Sequence, residues 1–177
     1  MEKTGDTLGA VMFTEAQIRN RVRELGQQIT TDYQGQQLLM VCILKGACIF
    51  FGDLVKQVAL DVRMDFMAVS SYGSETESTG KIKINKELDF DIEGKNVLIV
   101  EDIIDSGLTL TALLETLRRR RPNTIRICTL LDKPERRKTE LKADYVGFEV
   151  ENKFIVGYGL DFDEKYRQLP YITCLEE

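Results

Sequence analysis

The chain has no histidine among its 177 residues. That absence removes Ser-His-Asp and Cys-His nucleophilic chemistry and every histidine-ligated zinc site. Acid–base work must then fall to Asp, Glu, Lys, Tyr or Cys. A metal would be a hard ion held by oxygens, with magnesium the first candidate. Basic residues are in deficit as well: 24 Lys and Arg stand against 29 Asp and Glu, a formal net charge of -5. That balance argues against general affinity for nucleic acid or an anionic membrane. No apolar run approaches the roughly 20 residues that span a bilayer, and the polar N-terminal stretch lacks a signal-peptide core, so a cytoplasmic location is expected. The four cysteines, Cys42, Cys48, Cys128 and Cys174, show no paired zinc-site spacing. Three lie in or beside apolar segments, as buried thiols in a reducing compartment do.

What remains is the composition of one globular domain, 43% hydrophobic and 30% charged, long enough for a substantial core. Thr14 stands at capping-box spacing from Gln17, and Ile18, Val22, Leu25 and Ile29 follow at helical intervals, predicting a helix over about 15–30. The apolar run Leu38 to Ile43 predicts a strand buried on both faces. A helix is expected over about 47–58, a strand over about 63–69, and an exposed ribbon at Ile82 and Ile84. The polar stretch from Ser70 to Lys86 predicts a long loop. Val97 to Val100 is the strongest strand, followed by an expected loop from Glu101 to Gly107 and a helix from Thr109 to Arg121. The basic run Arg118 to Arg121 suits the negative end of that helix better than a nucleic-acid patch. Further strands are expected over about 124–131, 145–150 and 153–158. Apolar strands alternating with helices predict an α/β fold with a largely parallel sheet and helices on both faces. The strand-rich tail and the first helix are expected to form a small second layer at one edge.

In such sheets ligands bind beyond the carboxyl ends of the strands, where Glu101 to Thr109 fall. Gly107 permits a tight turn whose successive N–H groups form an anion nest. Ser106 and Thr109 add hydroxyl donors, and the helix that follows offers its positive end to a monoester phosphate. Glu101, Asp102 and Asp105 would repel that phosphate unless they face a sugar diol, a metal ion or a developing positive charge. A glycosyl centre beside a phosphate supplies all three. No GxxxxGK[ST] loop and no GxGxxG fingerprint is present.

Glu101 to Thr109, EDIIDSGLT, resembles the phosphoribosyl pyrophosphate (PRPP) signature of purine phosphoribosyltransferases. The wider chain is similar to the bacterial-length hypoxanthine-guanine phosphoribosyltransferase family from about Val11 to Asp163. Leu44-Lys45-Gly46, Ser71-Tyr72-Gly73, Leu131 to Pro134, Val146 to Glu149, Lys153 to Tyr158, Leu160-Asp161 and Arg167 all carry the likeness. The resemblance implies a type I phosphoribosyltransferase-like fold in a single domain over 1–177. Its core would span about 36–135, and a small hood would come from about 1–14 and 145–177. The implied activity is transfer of the phosphoribosyl group from PRPP to N9 of hypoxanthine or guanine, in a homodimer or homotetramer. A xanthine-preferring enzyme and an RNA-binding regulatory homologue are the alternatives.

Residue by residue, the resemblance implies that Glu101 and Asp102 meet the ribose hydroxyls, directly or through metal-bound water. Asp105 manages the purine N7 proton, and Asp105, Ser106, Gly107, Leu108 and Thr109 cradle the 5′-phosphate. Leu44, Lys45, Gly46 and Arg167 contact pyrophosphate, although Arg167 could equally serve a salt bridge. Lys133 donates to the 6-oxo group, Phe154 stacks on the ring, and Ile155 and Asp161 lie at the base edge. Glu101, Asp102 and Asp161 are the implied magnesium ligands. Ser71 and Tyr72 open a closing lid. Members of the family often have a cis peptide where Leu44 and Lys45 stand, and Leu108 departs from relatives that place lysine there.

Overall fold

The computed structural model describes residues 7–72 and 81–176. Its elements run β1 (Thr7–Phe13), α1 (Glu15–Asp32), β2 (Leu38–Leu44), α2 (Cys48–Val55), β3 (Val62–Ser71), β4 (Ile82–Lys86) and β5 (Asn96–Ile104). They continue with α3 (Leu108–Arg118), β6 (Thr124–Asp132), β7 (Tyr145–Glu149), β8 (Ile155–Val156) and β9 (Ile172–Glu176). Six strands form one sheet in the order β4-β3-β2-β5-β6-β7, and β1, β9 and β8 form a second, smaller one. All neighbours in the large sheet are parallel except β3 and β4.

The side-chain alternation of β2 explains why its sequence is apolar without interruption. Leu38, Met40 and Cys42 face the layer of α1 and α2, while Leu39, Val41 and Ile43 face α3. Leu110, Leu113, Leu114 and Leu117 of α3 close the second face over Val97 and Ile99. A strand sandwiched in this way has no polar side to show, as expected of parallel sheets covered on both faces.

Helix α1 starts where the sequence places it. Gln17 N–H donates to Thr14 Oγ1 at 3.2 Å, and Thr14 N–H donates to Gln17 Oε1 at 2.8 Å, a reciprocal cap. The helix is not part of an edge layer, however. Ile18, Val22, Leu25 and Ile29 are buried in the main core, packed with α2 and β7, because their stripe is wide enough to cover the sheet. Tyr145–Glu149 likewise joins the large sheet as its last strand rather than the smaller one. Of the expected strand over 153–158, only Ile155–Val156 joins a sheet, with Gly157 forming an isolated bridge to Leu160. Strands β1 and β9 carry mixed burial and no strict alternation, which hid them from the periodicity. The ribbon at Ile82 and Ile84 is β4, antiparallel to β3. Residues 73–80, most of the expected lid, lie outside the described residues. Past the end of α3, Arg120 and Arg121 pair with Glu87 and Glu93.

Removing the α1 cap should cost about 1 kcal/mol. Thr14→Ala is therefore expected to lower the denaturant midpoint with an unchanged m-value. A midpoint equal to that of the parent chain would mean the cap contributes nothing.

Candidate active site

The expected loop over 101–107 is shorter than its composition suggested. Parallel pairing between β5 and β6 continues through Glu101↔Thr129 to Ile104↔Asp132, so Glu101 and Asp102 are strand residues. The ladder supplies their backbone partners, which explains how carboxylates come to stand on rigid backbone at the strand's carboxyl end. Only Asp105, Ser106 and Gly107 turn the chain into α3. Gly107 has φ +79° and caps the helix. A side chain there is excluded twice: the conformation is left-handed, and a Cβ would lie 2.7 Å from Thr139 Oγ1 and 2.9 Å from Arg137 Cδ.

Those two neighbours belong to a segment that braces the loop from behind. Lys138 N–H donates to the Ser106 carbonyl at 2.9 Å, and Arg137 Nε donates to the Asp105 carbonyl at 3.2 Å. The other guanidinium nitrogens of Arg137 reach Asp132 and the Leu141 carbonyl. Arg136 Nε donates to Asp105 Oδ1 at 2.8 Å. Arg136 and Arg137 were not among the sequence candidates. No local pattern singles them out, because their partners lie some thirty residues away (31 and 32).

The turn after β2 comes in from the other side, with a cis peptide between Leu44 and Lys45. A Cβ on Gly46 would fall on Asp102 Oδ2, and a Cβ on Gly159, whose φ is +103°, would fall on the Gly46 carbonyl. The Gly46 and Gly159 backbones therefore meet directly, with the Asp102 carboxylate packed against Gly46 and no space for a Cβ at either glycine. Arg167 is drawn into the same place: Nη1 donates to the Gly159 carbonyl at 2.7 Å and Nη2 pairs with Asp161 Oδ1 at 3.0 Å. Its Nε is buried and has no hydrogen-bond partner among the described residues, a donor left over for a ligand or water.

Three small clefts join at this end of the sheet. Leu44, Gly46, Glu101, Asp102, Asp161 and Arg167 line the first, of about 240 Å³. The second lies along Glu101, Asp105, Ser106, Gly107 and Thr109. The third brings Asp102, Asp105, Lys133, Phe154, Ile155 and Asp161 together. Each shares residues with the others, so they form one continuous site. Two larger depressions, of about 380 and 340 Å³, lie beside α1 and α2 and at the opposite end of the sheet, and contain none of these residues. Size does not locate the chemistry here. Lys45 is not in the cleft wall; its ammonium pairs with Glu164 Oε2 at 3.0 Å. Ser71 ends β3, and Tyr72 after it leads into the undescribed segment.

Electrostatics distinguish the walls. Loss of water pushes the Asp102 carboxyl up to about 6, with Asp161 adding to the rise and the Ile103 N–H and Arg167 opposing it. Burial, together with Asp102, raises Glu101 well above the usual carboxylate range. Burial lowers Lys133, which Asp105 partly offsets. Lys133 is only 7% exposed, and its ammonium donates to the Lys153 carbonyl at 2.6 Å, leaving two N–H donors free to turn elsewhere. Phe154 is not a core residue: it is 53% exposed and meets the edge of Phe162 at 5.3 Å and 88°.

The chain matches the family model for the phosphoribosyl transferase domain over residues 14–163, which defines the class. A hypoxanthine-guanine phosphoribosyltransferase of Bacillus subtilis is 52% identical over 166 residues, covering 94% of this chain and 92% of the relative. One from Mycobacterium avium is 50% identical over 173 residues, covering 94% and 85%. A crystal structure of a hypoxanthine phosphoribosyltransferase from Staphylococcus aureus superimposes with a TM-score of 0.93 at 50% identity, covering 96% of this chain and 92% of that one. The chain belongs to the hypoxanthine-guanine phosphoribosyltransferase family, with its type I phosphoribosyltransferase fold.

The half-buried acid pair has a measurable consequence. Asp102 holds its proton more tightly when folded than when unfolded, so the folded chain binds more protons between about pH 4 and 6. Stability from this group is present below that window and is lost as pH rises through it. Asp102→Asn should remove the loss, on the order of 1 kcal/mol, or about 2–4 °C of Tm at pH 7, and almost none at pH 4. A Tm difference that is the same at both pH values would show that burial of this carboxyl is not its source.

Proposed function

We propose that the chain transfers the 5-phosphoribosyl group from PRPP to N9 of hypoxanthine or guanine, releasing IMP or GMP and pyrophosphate, a purine-salvage reaction. One observation carries the reading: an anion-binding loop, a carboxylate pair and a buried lysine beside an exposed aromatic meet in three joined clefts. Each cleft suits one part of the reaction. The Asp105 to Thr109 loop, with Leu108 contributing backbone N–H alone, takes the 5′-phosphate at the positive end of α3. Glu101 and Asp102 take the ribose hydroxyls. Leu44, Lys45, Gly46 and Arg167 take the pyrophosphate, and the unpartnered Arg167 Nε supports that assignment.

At the base, a lysine can only donate, which suits a 6-oxo group and disfavours a 6-amino group. The Lys153 carbonyl holds Lys133 in place for this. Phe154 is exposed enough to stack on a ring, with Phe162 packed perpendicular to it, and the Ile155 backbone and Asp161 read the rim. As the bond to pyrophosphate lengthens, positive charge grows on the sugar. Two carboxylates already destabilised by burial gain most from that charge. Asp105, positioned by Arg136, exchanges the N7 proton as N9 attacks from the opposite face.

Magnesium belongs to this reading as well. Among the described residues no three acidic, cysteine or histidine side chains are close enough to form a cage. That fits magnesium, which takes one or two carboxylates and completes its shell with substrate oxygens and water. Glu101, Asp102 and Asp161 all line the first cleft; one or two of them at a time would hold the ion, with substrate and water completing its shell, and its charge would offset that of the leaving pyrophosphate. We further place the small β1-β9-β8 sheet as the hood above the base, Ser71 and Tyr72 at the root of the lid, and the enzyme in the cytoplasm as a homodimer or homotetramer. Four free cysteines support a reducing compartment, and family membership supports the assembly.

The test is turnover of PRPP and magnesium with hypoxanthine, guanine, xanthine and adenine in turn. IMP and GMP should form, with little AMP. No nucleotide from any base would refute the enzyme reading, and XMP as the main product would shift it to a xanthine-preferring enzyme. Asp105→Ala should lower kcat by about 100-fold. Lys133→Ala should raise KM for the base roughly 10- to 100-fold. If neither constant moves, the base-site assignment is wrong.

A further inference from the structure

The turn that carries Asp161 to Arg167 contains an acid with no part in the chemistry above. Phe162 N–H donates to the Lys165 carbonyl at 3.1 Å, and Lys165 N–H donates back at 3.0 Å. The two residues between them, Asp163 and Glu164, have φ of 49° and 62°. Both are therefore left-handed, where glycine or asparagine is at ease and glutamate is not. Contacts retain Glu164 there. Its N–H donates to Asp161 Oδ2 at 2.8 Å. Its carboxylate then forks, with Oε2 accepting from Lys45 Nζ at 3.0 Å and Oε1 accepting from Arg167 Nη2 at 3.3 Å.

Those are the two cations assigned to pyrophosphate. One carboxylate, bridging them with one oxygen each, makes the contacts that two phosphate oxygens would make. We propose that Glu164 is a built-in competitor of pyrophosphate, which must leave Lys45 and Arg167 when the diphosphate of PRPP enters and which recaptures them as product departs. The proposal rests on the pyrophosphate assignment of the preceding subsection. Glu164 suits the task because its hold is weak. The Lys45 and Glu164 side chains are 67% and 64% exposed, and ion pairs in water are easily exchanged. A diphosphate carries more charge and makes shorter charge-assisted bonds, so it wins the exchange, but by less than it would against free cations. Glu164 thereby trades PRPP affinity for faster pyrophosphate release.

Glu164→Gln keeps the size and the acceptor oxygen and removes the charge. Titrated with magnesium pyrophosphate, this variant should bind roughly three- to tenfold more tightly than the parent chain. In steady state its KM for PRPP should fall while KM for the base stays constant, a split that a loosened turn would not produce. Glu164→Asp, charged but too short to bridge both cations, should fall between the two. Arg167→Ala separates the two layers of argument. If it leaves pyrophosphate affinity unchanged, the pyrophosphate assignment itself fails. If Arg167→Ala weakens binding and Glu164→Gln binds pyrophosphate no more tightly than the parent, the competitor proposal alone is overturned.

Discussion

The close approach of Gly46, Gly159 and Asp102 is the constraint on which the site depends. Each is in contact with the next across a gap that admits no Cβ. The three residues come from separate regions: the turn after β2, the segment after β8 and the end of β5. Joined there, the large sheet and the residues leading to β9 share one fixed point. Arg167 reinforces it by donating to the Gly159 carbonyl while pairing with Asp161. Close packing of the Gly46 and Gly159 main chain with the Asp102 carboxylate, rather than any single strong bond, sets the distances between the clefts. Interiors packed at this density transmit displacement instead of absorbing it.

The carboxylates occupy that fixed point at a cost. Asp102 and Glu101 stand where water is scarce, on a strand whose ladder gives them no freedom to turn away. A helix end or a loop could have displayed the same groups more cheaply, but without the same rigidity. Functional sites commonly retain such locally unfavourable groups. Lys133 is the matching case of opposite sign: it is buried and lowered, and a carbonyl twenty residues away holds it. Opposed perturbations in adjacent clefts favour a substrate with charge distributed along its length.

Much of the layered sheet was legible because its signals are local. The uninterrupted apolar run of β2, the leucine stripe of α3 and the Thr14 cap each declare themselves within a few residues. The tight turn at Gly107 was legible for the same reason. Strand β5 was read too short because Glu101 and Asp102 look like loop residues, whereas pairing with β6 overrides their preference. Strands β1 and β9 needed each other, and the chain gives no sign of a partner so far away. Lys133, Phe154 and Asp161, the residues proposed for the base, came into view through family likeness rather than pattern. Glu164 was invisible to both, since its lysine partner lies 119 positions earlier.

Arg137 reaches the carbonyls of Asp105 and Leu141 and the carboxylate of Asp132. The shape of the turn at Asp105 to Gly107 is thereby inherited from the end of β6 and the turn behind it, through hydrogen bonds in which the side chain at 108 takes no part. Architecture and grip are separately adjustable at this point. On the proposed phosphate assignment, exchanging Leu108 for a cation would change how strongly a phosphate is held, while the braced backbone that receives it would stay the same.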